Sequence, residues 1–294
     1  MTTTLITTAA LAGMFDDPNV RVFDVRHDLM DHAAGRRAYE QGHIPGARYL
    51  DHETELAAPR TGKNGRHPLP TREQLAALFE AHGVGPETFV VAYDASGGMY
   101  AAHLWWMLRW LGHERVAVLD GGWQAWQGAG LPVSHDTAPN ASLPATEAYA
   151  EQTESPSLLA PPLVETVDAD AVLANISDPR FTVIDARAAN RFRGEVEPMD
   201  PVAGHIPGAL NRPNGENLQA DGHFKRPEQL RAEFTALLGG REPATIVHQC
   251  GSGITACHNL LAMEIAGLNG ARLYPGSWSE WCSDPSRPVA RGEA

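Results

Sequence analysis

The chain contains the same unit twice, and no other property of the sequence limits its possible folds as strongly. Val22-Phe23-Asp24-Val25-Arg26 matches Val183-Ile184-Asp185-Ala186-Arg187, and Gly42-His43-Ile44-Pro45-Gly46-Ala47 recurs letter for letter at Gly204-His205-Ile206-Pro207-Gly208-Ala209. Further along, residues 90–98 parallel 246–253, and Leu119-Asp120-Gly121-Gly122-Trp123 with Trp126 parallels Leu273-Tyr274-Pro275-Gly276-Ser277-Trp278 with Trp281. The matches keep their order and nearly their spacing, which marks a tandem duplication of a whole domain rather than a short-period solenoid. The expected domains are residues 1–136 and 163–294. They are joined by a stretch at 137–162, rich in Ala, Ser, Thr, Glu and Pro, that reads as an extended linker.

Each copy alternates short β-branched runs with amphipathic patterns. In the first, residues 20–25, 89–93 and 116–119 read as strands, and 72–82 and 100–110 as helices. Alternation of this kind predicts an α/β fold, with each copy a parallel, doubly wound sheet carrying helices on both faces. Ligands of such sheets bind beyond the carboxyl ends of the strands, where Asp94 falls in the first copy and Cys250 in the second. Trp123, Trp126, Trp278 and Trp281 follow helical spacing and read as core, as do Trp105, Trp106 and Trp110.

Cys250 sits between an apolar run at 245–247 and a helical pattern beginning near Ala256, with Gly251 and Gly253 in between. A thiol in that place lies near the positive end of a helix dipole and within reach of unsatisfied loop N–H groups. Such surroundings favour the thiolate, the nucleophilic form. A buried, inert cysteine is the alternative, but inert packing does not call for flanking glycines, and the nucleophile is the preferred reading. Cys257, inside the following helix, and Cys282 are expected to be packing residues.

Composition narrows the function further. The 294 residues carry a net charge of −13, which argues against nucleic acid or an acidic membrane surface as partner. Three cysteines are too few for a disulfide framework, and His248-x-Cys250 lacks further ligands at a familiar spacing, so no metal site is expected. No basic-then-apolar leader or long apolar run appears, and the default expectation is a cytoplasmic protein. No phosphate-cradling Gly-x4-Gly-Lys-Ser/Thr is present, and no cofactor is implied.

Two copies of this unit, with the thiol loop only in the second, resemble the tandem-domain rhodanese family of sulfurtransferases. The resemblance rests on the two Asp-x-Arg segments, both Gly-His-Ile-Pro-Gly-Ala segments, the Gly-x-Trp segments and the loop opened by Cys250. Cys250-Gly251-Ser252-Gly253-Ile254-Thr255-Ala256 is similar to the signature of 3-mercaptopyruvate sulfurtransferases; thiosulfate sulfurtransferases typically carry basic residues mid-loop. The resemblance implies a catalytic second domain and an inactive first one, in which Asp94 replaces the cysteine. It implies ping-pong transfer: Cys250 takes sulfur from 3-mercaptopyruvate as a persulfide and passes it to cyanide, a small thiol or a thioredoxin-like protein.

On the same basis Cys250, Ser252 and His67 are the candidate catalytic residues. Arg191 would grip the donor's carboxylate, with Gly251, Gly253, Ile254 and Thr255 lining the loop. Glu53 is the candidate acidic partner of His67. Arg187, at a strand end, is the weaker substrate candidate and is expected to make a structural ion pair. Thr255 is expected to cap the helix that follows. Related enzymes carry a second arginine shortly before the Gly-His-Ile-Pro-Gly segment; here that stretch is Glu197-Pro198-Met199-Asp200-Pro201, without arginine.

Rival readings are a thiosulfate-using enzyme, a non-enzymatic regulatory or scaffolding module, and a cysteine-dependent phosphatase. The last needs an arginine closing a Cys-x5-Arg loop, and position 256 is alanine.

Overall fold

The computed structural model describes residues 4–136 and 157–293 and divides into two units, residues 1–57 with 70–163, and residues 58–69 with 164–294. Most of the stretch read as a linker, 137–156, lies outside the described residues. Residues 58–69 belong with the second unit, although their sequence position places them in the first copy.

In the first unit the elements are β1 (Leu5–Ile6), α1 (Thr8–Ala12), β2 (Val20–Asp24), α2 (Ala34–Gln41), β3 (Arg48–Tyr49), α3 (Arg72–Ala81), β4 (Phe89–Tyr93), α4 (Met99–Trp110), β5 (Val116–Leu119) and α5 (Gly122–Gly128). The strands form one parallel sheet in the order β1-β5-β4-β2-β3. Its middle strands, Val-Arg-Val-Phe-Asp and Phe-Val-Val-Ala-Tyr, are mostly buried, as strands covered on both faces must be. Local chemistry sets the helix ends: Thr71 caps α3 by accepting the Gln74 N–H, while the Gln74 side chain accepts the Thr71 N–H.

The second unit runs α6 (Ala169–Ser177), β6 (Thr182–Asp185), α7 (Ala189–Phe192), β7 (Leu210–Asn211), α8 (Pro227–Leu238), β8 (Ile246–Gln249), α9 (Ile254–Ile265), β9 (Arg272–Leu273) and α10 (Ser277–Trp281). Its parallel sheet has the order β7-β6-β8-β9. Pro227 opens α8 and Gly239 closes it in the left-handed conformation, the usual asymmetry of helix ends.

The repeated motifs turn out to be one structural device used twice. Arg26 donates to both Asp24 oxygens and to the Gly42 carbonyl at 2.7 Å, with its guanidinium 4.6 Å from the Trp123 ring. Arg187 does the same with Asp185, Gly204 at 2.7 Å and Trp278 at 4.6 Å. Asp-x-Arg, Gly-His-Ile-Pro-Gly-Ala and Gly-x-Trp therefore converge on a single buried ion pair, which is why all three recur together. A buried arginine is tolerable only when its donors are satisfied this completely. The remaining Arg187 donor, Nη1, reaches Glu197 at 3.3 Å. Burial works against the Arg187 charge, but Asp185, and to a lesser degree Glu197 and Cys250, outweigh it and raise its pKa.

Six of the seven tryptophans read as core are buried, Trp105, Trp106, Trp123, Trp126, Trp278 and Trp281, whereas Trp110 at the end of α4 is only half-buried. Trp126, Trp278 and Trp281 are fully buried, and each indole N–H finds a backbone carbonyl, at Pro132, Val202 and Pro288 respectively. Among the described residues no helix is long and apolar enough to cross a membrane.

Candidate active site

Cys250 follows directly on β8 and is 2 % exposed. Its backbone is pinned from three directions. The Cys250 N–H donates to Ser277 Oγ at 3.1 Å, its carbonyl accepts the Trp278 N–H at 3.0 Å, and the Gly251 carbonyl accepts the Ser279 N–H at 3.0 Å. Ser277 is the one non-glycine residue with positive φ among those described, at 55°. A side chain there carries backbone strain on the order of 1 kcal/mol. Its hydroxyl, fully buried, accepts from Cys250 and donates to the Tyr274 carbonyl at 2.9 Å.

Four residues form the turn from strand to helix, and α9 begins at Ile254, two residues earlier than the sequence pattern indicates. The expected cap at Thr255 is not made. Gly253 occupies the N-cap at φ 90°, no side chain caps the helix, and Thr255 is already its second residue. Glycine is required at 253 for two reasons, the left-handed backbone and the closeness of the Pro275 carbonyl, 2.5 Å from where a Cβ would stand.

Ser252 and His67 meet. Ser252 Oγ lies 2.8 Å from His67 Nδ1, and the two side chains are buried at 6 % and 3 % exposure. His67 reaches this place because the 58–69 segment packs into the second unit. The Ala58 N–H donates to the Pro68 carbonyl at 2.8 Å and closes its base, and the Arg66 N–H donates to Ser279 Oγ at 2.9 Å. Gly65, at φ 85°, sits so close to the Gly276 backbone that a Cβ would come within 2.9 Å of its carbonyl.

Arg191, on the short helix α7, does not stand alone. Its Nη2 pairs with Glu197 Oε1 at 2.5 Å and with Asp200 Oδ2 at 3.4 Å. Asp200 also accepts from Arg66 Nη1 at 2.6 Å. The stretch expected to be short of a cation thus supplies two carboxylates, each holding an arginine. Burial acts against the charge of both. It leaves Asp200 above the ordinary aspartate value despite Arg66, whereas Arg191 and the Met199 and Asp200 N–H groups outweigh it and hold Glu197 below the ordinary glutamate value. Arg66 is the functional candidate that sequence reasoning missed. The available signal was its position beside His67 in Gly65-Arg66-His67.

Glu53 lies in the first unit, where its carboxylate oxygens are 3.7 Å from His27 Nε2 and 3.7 Å from His32 Nδ1. Cys257 is fully buried, and burial pushes its thiol well up. Cys282 is buried at 8 % exposure and is pushed up to about 11, again by burial.

With a cysteine at a parallel strand's tip, a two-glycine turn into a helix, and a serine–histidine pair beside it, comparison with known proteins becomes decisive. The Rhodanese-like domain model matches residues 7–129 and 168–284. The chain belongs to the rhodanese-like family. A Pseudomonas aeruginosa protein named probable 3-mercaptopyruvate sulfurtransferase is 46 % identical over 98 % of both chains. A Cricetulus griseus protein named thiosulfate sulfurtransferase is 33 % identical over 94 % of this chain and 90 % of its own. Among solved structures, SseA from Escherichia coli, described with the 3-mercaptopyruvate sulfotransferases, superposes with a TM-score of 0.74 at 32 % identity. It covers 94 % of this chain and 99 % of its own. This tandem rhodanese protein is therefore an enzyme, a sulfurtransferase moving sulfur between a donor and an acceptor.

Proposed function

We propose that the enzyme transfers sulfur from 3-mercaptopyruvate through a persulfide on Cys250. The observation that carries this reading is the hydrogen-bonded Ser252–His67 pair two residues beyond Cys250. It supplies a proton donor in a loop otherwise free of charge, which an organic donor with a carbanionic leaving group needs and thiosulfate does not.

In the first half-reaction the Cys250 thiolate attacks the donor's sulfur. An S–S bond forms, the C–S bond breaks, and its electron pair leaves on carbon as the enolate of pyruvate. The Ser252 hydroxyl, backed by His67, delivers the proton to that enolate. In the second half-reaction cyanide, a small thiol or a thioredoxin-like protein attacks the outer sulfur, the S–S bond breaks, and the Cys250 thiolate returns. The N–H groups of the loop and the first turn of α9 stabilise the anionic sulfur in both steps. Arg191 receives the donor's carboxylate.

Charge balance supports this donor over thiosulfate, although a related enzyme is named for the latter. The two arginines near Gly251 are matched by Glu197 and Asp200, and Ser252 and Gly253 are neutral, so the surroundings suit a monoanion better than a dianion. The first unit, with Asp94 in the cysteine's place, is assigned no chemistry of its own. Three cysteines outside any disulfide fit a reducing compartment, in keeping with a cytoplasmic enzyme.

The test is steady-state sulfur transfer to cyanide from 3-mercaptopyruvate and from thiosulfate, with wild type beside Cys250→Ser. Mass spectrometry of the donor-treated protein would look for one added sulfur. Higher kcat/KM with 3-mercaptopyruvate and a persulfide confined to Cys250 are expected. Transfer surviving in Cys250→Ser would overturn the mechanism, and a preference for thiosulfate would overturn the donor.

A further inference from the structure

We infer that the second unit binds a water molecule beneath Cys250, held by the Gln249 carboxamide, the Asp185 carboxylate and the Ile206 N–H, in the place that the Tyr93 hydroxyl takes in the first unit.

The first copy shows what the position requires. Tyr93 closes β4 opposite Asp24 in the sheet register. Its hydroxyl donates to Asp24 Oδ2 at 2.7 Å and accepts the Ile44 N–H at 3.2 Å. One buried oxygen thus ties the Asp-x-Arg segment to the Gly-His-Ile-Pro-Gly-Ala segment.

In the second copy Gln249 closes β8 opposite Asp185, in the same register. Residues paired in this way point to the same face of the sheet. A carboxamide is shorter than a phenol, and the bridge is not made. Gln249 is fully buried, yet neither its Oε1 nor its Nε2 has a hydrogen-bond partner among the described residues. Asp185 Oδ2 accepts only from Arg187, Nε at 3.0 Å and Nη2 at 2.7 Å, whereas Asp24 Oδ2 accepts from Arg26 and from Tyr93 as well. Ile206 is 1 % exposed, and its N–H donates to no acceptor among the described residues, although its counterpart at Ile44 does.

Buried polar groups are rarely left unpaired, because burial strips them of water without returning a bond. A water molecule matches this set. It donates to Asp185 Oδ2 and Gln249 Oε1 and accepts from the Ile206 N–H and Gln249 Nε2, in keeping with the roughly two to four partners of an enclosed water. An ion matches it less well. Asp185 is already balanced by Arg187, so an anion would meet the carboxylate and a cation the guanidinium. Gln249 directly precedes Cys250, and the charge of Arg187 is coupled to both Asp185 and Cys250. The water therefore belongs to the layer that supports the cysteine loop.

Crystal structures of wild type, Gln249→Tyr and Tyr93→Gln, at a resolution that shows ordered water, carry the test. Water–amide NOEs at Ile206 give the same reading in solution. Wild type should show one water within hydrogen-bond distance of Gln249, Asp185 and the Ile206 nitrogen, and an NOE from long-lived water to the Ile206 amide. In Gln249→Tyr the phenol should take the water's place and the NOE should vanish. The unfolding constant from urea denaturation should fall about fivefold, because a covalently held oxygen replaces an immobilised water. Should Gln249→Tyr fail to fold, Tyr93→Gln makes the exchange in the other direction, and a water should enter between Asp24 and the Ile44 N–H. A wild type without the water would overturn the inference, as would a water unmoved in Gln249→Tyr. None of these readings depends on the sulfur donor, so their failure leaves the proposed function standing.

Discussion

The two copies of the strand–loop–helix unit differ chiefly in what fills the loop. In the first copy Asp94 turns its own carboxylate into the turn. It accepts N–H groups from Ser96 at 2.7 Å, Gly98 at 2.9 Å, Tyr100 at 2.8 Å and Ala101 at 2.9 Å. In the second, Cys250 takes the corresponding place, and the rest of the scaffold repeats. Gly98 and Gly253 cap their helices at φ 88° and 90°, and the Trp123 and Trp278 N–H groups close on the Asp94 and Cys250 carbonyls at 2.8 and 3.0 Å. The first loop is an anion nest with a built-in occupant. Burial still holds Asp94 above the ordinary aspartate value, though all four N–H groups pull the other way. The lesson is that the fold repeats the same turn in both copies, and one side chain decides whether a carboxylate or a thiol stands at its start.

The strongest way to break this comparison is to give the second copy the first copy's residue. Cys250→Asp should fold, because Asp94 shows that the turn accepts a carboxylate, yet lose sulfur transfer by about 10⁴-fold or more, as nucleophile removal does. A thermal melt beside the cyanide assay decides it; an unfolded variant would mean the loops are not equivalent.

The serine–histidine pair has no counterpart among the Asp94 contacts, and removing it should expose what the second copy gained. Ser252→Ala and His67→Gln are each expected to lower kcat with 3-mercaptopyruvate by about 10²-fold, the usual size of a proton-transfer contribution. The double variant should cost little more than either alone, because the two groups act as a unit. Fully additive losses would separate them.

A third difference lies on the strand beneath the loop, where β8 carries His248 and β4 carries Ala92. His248 is fully buried, and burial lowers its pKa from 6.5 to about 3. The unfolded chain takes up a proton that the folded chain refuses. The contribution is therefore complete above pH 6.5 and falls as pH drops toward 3, with about 2 kcal/mol of it lost by pH 5. Urea denaturation of wild type and His248→Ala at pH 7 and pH 5 should show a shallower loss in the variant. Equal pH dependence would remove His248 from the account.

The smallest effect sharpens the comparison at one backbone position. Gly122 in the first copy and Ser277 in the second share φ values of 56° and 55°. Ser277→Gly should relieve strain of about 1 kcal/mol while losing the hydroxyl that holds the Cys250 N–H, for a net change in stability near zero. Its kcat should nonetheless drop severalfold if that bond positions the thiol. Gly122→Ala, by contrast, would bring a Cβ within 2.4 Å of the Asp94 carbonyl and should destabilise by about 2 kcal/mol or more.

Much of this was legible in the sequence because it is written in contiguous stretches. A β-branched run ending at Cys250, two glycines and an apolar helical pattern specify strand, turn and helix locally, and duplication makes each assignment twice. Strand β4 and strand β5 have the bounds the pattern predicts. Thr255 as helix cap failed for a local reason of its own: Gly253 already takes the left-handed turn, leaving no cap position for a hydroxyl.

What the sequence by itself determined is the number of units, their parallel α/β architecture, the candidate cysteine at the strand tip of the second copy and its replacement by Asp94 in the first. Each of these depends on residues a few positions apart, where chain geometry leaves few choices. Tertiary structure alone decided which side chains join Cys250. Ser252 and His67 are 185 positions apart, and Arg66 and Asp200 are 134 apart. No periodicity reports such a pairing. It is fixed by where the 58–69 segment packs, through a backbone contact at Gly65 and one hydrogen bond to Ser279, and these depend on surface shape rather than on local pattern.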